Sequence, residues 1–299
     1  MFVWFLLSIG AAVSNSATQV IQKWAVVLSN YSKITITFIA TITAALILFA
    51  ISYFITGFPL LQSGFWEAVL ITSILNFIAF PVMLKAYELG EFSSVYSMIL
   101  MTPVFLLFTS FIFLGEIPSM IGAFGVLLTV IGLWVITQGN HEHLQVPSFA
   151  KGNLLGLLVA FLWSVSVNFD KLSAVYSDRF FAPAMASAMM AAGYAIYLLI
   201  KNRRLFVRNA VASENHHQDR FLFQGVVVLL CLGASMALGS VLHNSALLAG
   251  LASYTIAIKR MGVLFGVIWG WLFFKEKDIA KKLLGAAIAV AGVVAILFS

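Results

Sequence analysis

Lys259 and Arg260 stand side by side in the stretch SYTIAIKRMGVLFGVIWGWLFFKEK (residues 253–277), within an otherwise apolar run. A cation in the bilayer interior costs at least about 2.5–3.5 kcal/mol on insertion scales. Such groups face a cavity or the helix bundle and need an anionic or strongly polar partner. Two adjacent cations in this setting can hold a carboxylate or a phosphate. Helical rise sets Lys259 roughly 12 Å from the start of its helix. Snorkelling to the surface is open to a lysine there and less so to Arg260, one step deeper. Lys259 shares a face with Thr255, Gly262, Gly266 and Gly270, and Arg260 with Ile256, Val263, Val267 and Trp271. Neighbouring helical residues diverge by about 100°. Arg260 is therefore expected at the edge of the same cavity or against another helix.

Other polar residues in apolar runs need partners too. The first run offers Ser14, Asn15, Ser16, Thr18 and Gln19, and the eighth offers His243 and Asn244. The candidate substrate-binding set is Lys259, Arg260, Tyr254, His243, Asn15, Gln19, Asn76, Ser97, Trp163 and Asn168. Asp170 lies beside Lys171, so it reads either as a titrating site or as half of a local ion pair. Glu116 and Glu276 fall at hairpins, as gates or as carboxylates favoured by a helix N-terminus. His141, His143, His216 and His217 lie in polar loops without further ligands at metal spacing, so no metal is expected. No nucleophile–base set is visible. GAFGVLLTVIG is an apolar helix and not a phosphate-binding turn after a strand. Neither an enzyme nor a cofactor is expected.

The elements that position these residues follow from composition. The 299 residues are 62% hydrophobic and only 9% charged, with a mean hydropathy of +1.03. Soluble domains carry about a quarter charged residues, so this is an integral membrane chain. Apolar runs near 2–22, 33–55, 65–86, 92–114, 118–137, 152–172, 180–200, 221–247, 252–274 and 280–298 predict ten helices. Runs of about 20 residues exclude a β-barrel, whose strands are about half as long. The net charge of +6 sits in short loops, a pattern of membrane insertion and not of nucleic-acid binding. The single cysteine, Cys231, has no internal disulfide partner. The first run lacks a positive flank and reads as a mature helix rather than a signal peptide. The expected partners are a small-molecule substrate and the lipid bilayer.

The chain also repeats itself. A shift of 160 residues sets Glu116 on Glu276, Gly125 on Gly285 and Gly132 on Gly292. Near the N-terminus a shift of 148 sets Ser16 on Ser164 and Gln22-Lys23 on Asp170-Lys171. The difference fits an insertion in the 201–220 loop. The expected fold is all-α, ten transmembrane helices as two five-helix units, residues 1–140 and 150–299. An odd number of helices per unit inverts one against the other, a plan of secondary transporters with the site at the repeat interface. A duplicated scaffold without transport is the bland alternative. The paired glycines mark close helix packing, between the units or in a homodimer. Ile99 and Leu100 stand where the second unit has Lys259 and Arg260, so the cations break the internal symmetry.

LGEIPSMIGAFGVLLTVIGLWVI (114–136) and FKEKDIAKKLLGAAIAVAGVVAIL (274–297) each place a Glu before a helix with spaced glycines. WSVSVNFDK (163–171) runs from Trp to Lys in the first helix of a unit. With these motifs the chain resembles the drug/metabolite transporter superfamily, of the EamA type. The first unit has NSATQVIQK (15–23) and lacks the Trp. The resemblance implies transport of a small solute by alternating access, in a bacterial plasma membrane. The Lys-Arg pair is similar to one in the penultimate helix of sugar-phosphate translocators that holds the substrate phosphate, which implies an anionic solute. An empty carrier would hold uncompensated charge midway, which favours exchange over uniport. Small multidrug exporters of the superfamily have a buried glutamate in helix 1. This chain has none there, which argues against proton-coupled export of cationic drugs; export of neutral or cationic compounds stays as the alternative. The positive-inside rule sets the Lys- and Arg-rich odd connections in the cytoplasm and both termini outside. The resemblance implies termini inside.

Overall fold

The computed structural model describes residues 2–29, 31–89, 92–137, 147–201, 218–265 and 279–299. Glu276, Gly266, Gly270, Trp271, His141, His143, His216 and His217 lie outside them. Among the described residues there are eleven helices, a further helical turn at 262–265, and no β-strand. They are α1 (Phe2–Ser29), α2 (Lys33–Ile55), α3 (Phe65–Leu89), α4 (Phe92–Ile99), α5 (Thr102–Leu114) and α6 (Met120–Thr137). After these come α7 (Pro147–Val175), α8 (Phe181–Lys201), α9 (Gln218–Ala249), α10 (Ala252–Arg260) and α11 (Ile279–Leu297). Seven stretches are long and apolar enough to span a bilayer, one of them Val95–Leu114 across the α4–α5 junction. Leu46, Phe108, Phe111, Ile112 and Ile131 are exposed. In water such a surface would be unfavourable, but in lipid it is the solvated face. The chain is an integral, multi-pass, all-helical membrane protein.

Two expected helices are interrupted. The run 92–114 divides into α4 and α5 because Pro103, in the first turn of α5, has no N–H to give to Ile99 and its ring crowds that carbonyl. Thr102 compensates by donating its hydroxyl to the Ile99 carbonyl at 2.7 Å. The run that begins at 252 stops at Arg260, and Met261 closes the last turn by donating to Ile258 and Lys259 carbonyls. Gly262 then passes against the Ala12 carbonyl with no room for a side chain. Lys259 and Arg260 thus fall in the last turn of a half-helix, where free carbonyls and the helix dipole favour cations.

The helices pair across the chain. α1 lies against α9, α3 against α7, α2 against α8 and α6 against α11. In the α6–α11 seam Gly125 faces the Gly292 carbonyl, and Gly132 faces Gly285 and the Ala289 backbone. The spaced glycines therefore serve close contact within the chain.

Four connections gather at one end of the bundle. The Gln62 N–H donates to the Tyr176 carbonyl at 2.9 Å, and Thr56 donates to Asp178 at 3.1 Å. Lys171 donates to Glu116 and to the Gly250 carbonyl, each at 2.6 Å. The other Glu116 oxygen accepts the Ala252 N–H at 2.8 Å, at the start of α10. The N-cap position of α10, Leu251, has no capping side chain of its own. Glu116 fills that need from another hairpin, so it is a helix-start carboxylate for α10 and not for its own α6.

Candidate functional site

A cavity of about 770 Å³ lies among the paired helices. Asn15, Thr18, Gln19 and Gln22 reach it from α1, and Asn76, Phe80, Met83 and Tyr87 from α3. Tyr96 and Ile99 come from α4, Trp163, Asp170 and Ser173 from α7, Ser240, His243 and Asn244 from α9, and Lys259 and Arg260 from α10. The second and seventh spans also line it, through Thr37 and Thr41 of α2 and Pro183, Ala186 and Ser187 of α8. Reading polar residues within apolar runs singled out neither of those helices, since α8 offers mostly small side chains there.

Of the ten candidate residues, seven line the cavity: Asn15, Gln19, Asn76, Trp163, His243, Lys259 and Arg260. Three lie elsewhere. The Tyr254 hydroxyl accepts the Ser119 N–H at 3.0 Å and packs on Gly122, tying α10 to the start of α6. Asn168 is fully buried within α7, where its amide donates to the Ser164 carbonyl at 2.8 Å. Ser97 is buried in α4, off the cavity wall.

The two cations differ in what holds them. Arg260 donates from Nη2 to the Thr102 hydroxyl at 3.1 Å, and its guanidinium lies 5.3 Å from the centre of the Trp163 ring. It therefore joins the end of one interrupted helix to the junction of the other, while its Nε is buried without a hydrogen-bond partner. Lys259 also lines the cavity, and no hydrogen bond or ion pair to a described residue holds its ammonium. Both residues reach one space despite their divergence along the helix, because α10 ends there.

Asp170 is the carboxylate on this wall. It does not pair with Lys171, which is committed to Glu116. Its Oδ1 accepts the Thr72 hydroxyl at 2.5 Å, and its Oδ2 lies 3.8 Å from His243 Nε2. Ser166 and Asn76 complete a polar network between α3 and α7, with the Asn76 amide donating to Ser166 at 2.7 Å. One signal for Asp170 was present in the sequence: the 148-residue shift sets it on Gln22, which also lines the cavity.

A membrane bundle enclosing a polar, charged cavity defines a class, the solute carriers and channels. Two matches narrow it. The EamA-like transporter family model matches residues 2–138 and again residues 150–298. The chain belongs to the EamA-like transporter family, whose members are membrane transporters of small molecules. No curated protein matches the chain. Among solved structures, one described as "Crystal structure of protein" matches with a TM-score of 0.78 at 13% identity. The match covers 99% of this chain and 96% of that one, and it supports the fold.

Proposed function

We propose that the protein is a ten-helix secondary carrier that moves a small anionic metabolite by alternating access, with exchange as its favoured mode. Its place is the bacterial plasma membrane. The observation that carries the anion is Lys259, a cation on the wall of a 770 Å³ cavity that makes no hydrogen bond or ion pair to a described residue. A solute carboxylate or phosphate meets the need that the protein leaves open. Arg260, already held by Thr102 and Trp163, fixes the site and adds a second positive charge to the same wall. The α4–α5 junction and the end of α10 bring interrupted helices to one solute, a recurring design of carriers.

Two inverted five-helix units, residues 1–140 and 150–299, account for several features together. Shifted by 148, α1 and α2 fall on α7 and α8, and shifted by 160, α3, α4 and α6 fall on α9, α10 and α11. The contacts exchange in the same way, since α1 meets α9 as α7 meets α3. Cavity positions recur as well: Asn15 with Trp163, Met83 with His243, Ile99 with Lys259. The Lys- and Arg-poor connections are those gathered at the Glu116–Lys171 end, which the positive-inside rule sets outside.

Counterflow in proteoliposomes tests the reading. Wild type should exchange a carboxylate or phosphate solute found by thermal stabilisation, since a bound ligand raises stability by mass action. Lys259→Gln should fold and lose that exchange. Normal anion exchange by Lys259→Gln defeats the proposal. A second reading, export of neutral or cationic compounds, is favoured by Asp170 and by Trp163, Tyr87 and Tyr96 on the same wall. Resistance profiles of cells with and without the protein separate the two.

A further inference from the structure

The geometry points to a proton-binding site formed by Asp170 and His243, whose occupancy sets the strength of anion binding at Lys259. This site presupposes Lys259 as the anion-binding group. Asp170 faces the cavity with its neighbour Lys171 turned away to Glu116, so the cation next to it in sequence does not neutralise it. Its Oδ2 stands 3.8 Å from His243 Nε2. That gap is too long for a hydrogen bond and short enough to close into one when a proton is added between the two atoms. His243 is 7% exposed, and its Nδ1 has no hydrogen-bond partner.

The surroundings decide the coupling. Around Asp170, α3 presents Thr72 and Asn76, with Tyr87 further along the wall, α4 presents Tyr96, and α5 presents Thr102. α9 adds His243 and α10 adds Lys259 and Arg260, while α8 contributes no titratable side chain to the cavity among the described residues. With His243 neutral, two positive charges face one negative. Asp170 then competes with a solute anion for Lys259. One proton taken up by the pair, shared between Oδ2 and Nε2, cancels that competition and leaves an excess of two positive charges. Proton and anion therefore bind cooperatively, and linkage makes the effect reciprocal. The empty carrier keeps Asp170 as an internal counter-charge for Lys259. It can return unloaded, so net proton–anion symport accompanies exchange.

The test uses the full chain in proteoliposomes on a solid-supported membrane, with a pH jump and no solute. Wild type should give a transient charge displacement, and Asp170→Asn and His243→Gln should each lose it. Asp170→Asn keeps an acceptor for Thr72, and elution as a single species checks the folding of both variants. A second arm measures sulfate, whose charge is constant across the range, by thermal shift between about pH 5 and about pH 8. Its affinity for wild type should rise toward acid, by at most about tenfold per pH unit for one linked proton. It should become independent of pH in Asp170→Asn. An unchanged pH-jump signal in both variants overturns the proton site. So does sulfate binding that needs Lys259 yet ignores pH. A pH-jump signal that needs Asp170, without sulfate binding by wild type, instead upholds the proton site and removes the anion reading.

Discussion

Glu116 and Lys171 meet at 2.6 Å, and each has a second partner in the α9–α10 connection, at Gly250 and Ala252. Some turns away, Lys259 faces a cavity without any such partner, and Asp170 stands beside a histidine at 3.8 Å. Both clusters carry opposite charges in an apolar protein. The first is closed on itself, since every charge is met by protein. In the second, the Lys259 ammonium and His243 Nδ1 have no hydrogen-bond partner among the described residues. A fully satisfied buried pair fixes structure, whereas an unsatisfied one invites a ligand.

The contrast can be broken experimentally. Glu116→Gln should have the largest effect on stability, because it leaves the Lys171 ammonium, at 17% exposure, without its counter-charge. The expected loss is near the low end of about 3–5 kcal/mol. Thermal unfolding in detergent reads it, and Glu116→Gln with Lys171→Met should recover a large share. Lys259→Gln should behave oppositely. It removes a cation that no hydrogen bond or ion pair to a described residue holds, so stability should change little, while anion counterflow falls by at least about tenfold. A marked loss of stability there would place Lys259 with the structural pair. Arg260→Lys sharpens the comparison within the cavity. It keeps the charge but gives up the planar contact with Trp163 and the Thr102 hydrogen bond. The expected loss in unfolding free energy is about 1–2 kcal/mol. Thr72→Val has the smallest expected effect. It removes the hydroxyl that meets Asp170 and Ser166, for about 1 kcal/mol, and should alter the pH dependence of transport more than its maximal rate.

Much of this was legible in the residues. Apolar runs marked the spans, and the energetic misfit of Lys259 and Arg260 marked the cavity. Asn15, Asn76 and His243 were legible for the same reason. What escaped has physical causes. Interruption at Pro103 was readable from the missing N–H, yet the run around it carries no charge from Phe92 to Leu114 and reads as one helix. The end of α10 carries no proline, and Gly262 acquires its meaning only from Ala12, more than two hundred residues away. Asp170 next to Lys171 reads as a local pair, because adjacency in sequence hides that their side chains leave the helix in different directions. Tyr254 and Asn168 have hydrogen-bonding groups that suit a solute equally well. Tyr254 finds its partner, Ser119, only through packing, and Asn168 turns back onto the Ser164 carbonyl one turn earlier in its own helix. Glu276, the repeat partner of Glu116, lies outside the described residues.

The α6–α11 seam has a mechanical consequence. Gly132 meets the backbone of Gly285 and Ala289 directly, and Gly125 meets the Gly292 carbonyl beside the Ile296 side chain. A contact of backbone on backbone has little to repack. It resists being pulled apart, since separation would open a gap that no rotamer fills, yet it presents few knobs to hinder a small rotation. In the proposed alternating access this seam would be the line about which the bundle tilts, much as a door turns on its pin, with the largest displacements on the helices farthest from it. Bulky side chains at Gly132 would wedge the pin itself.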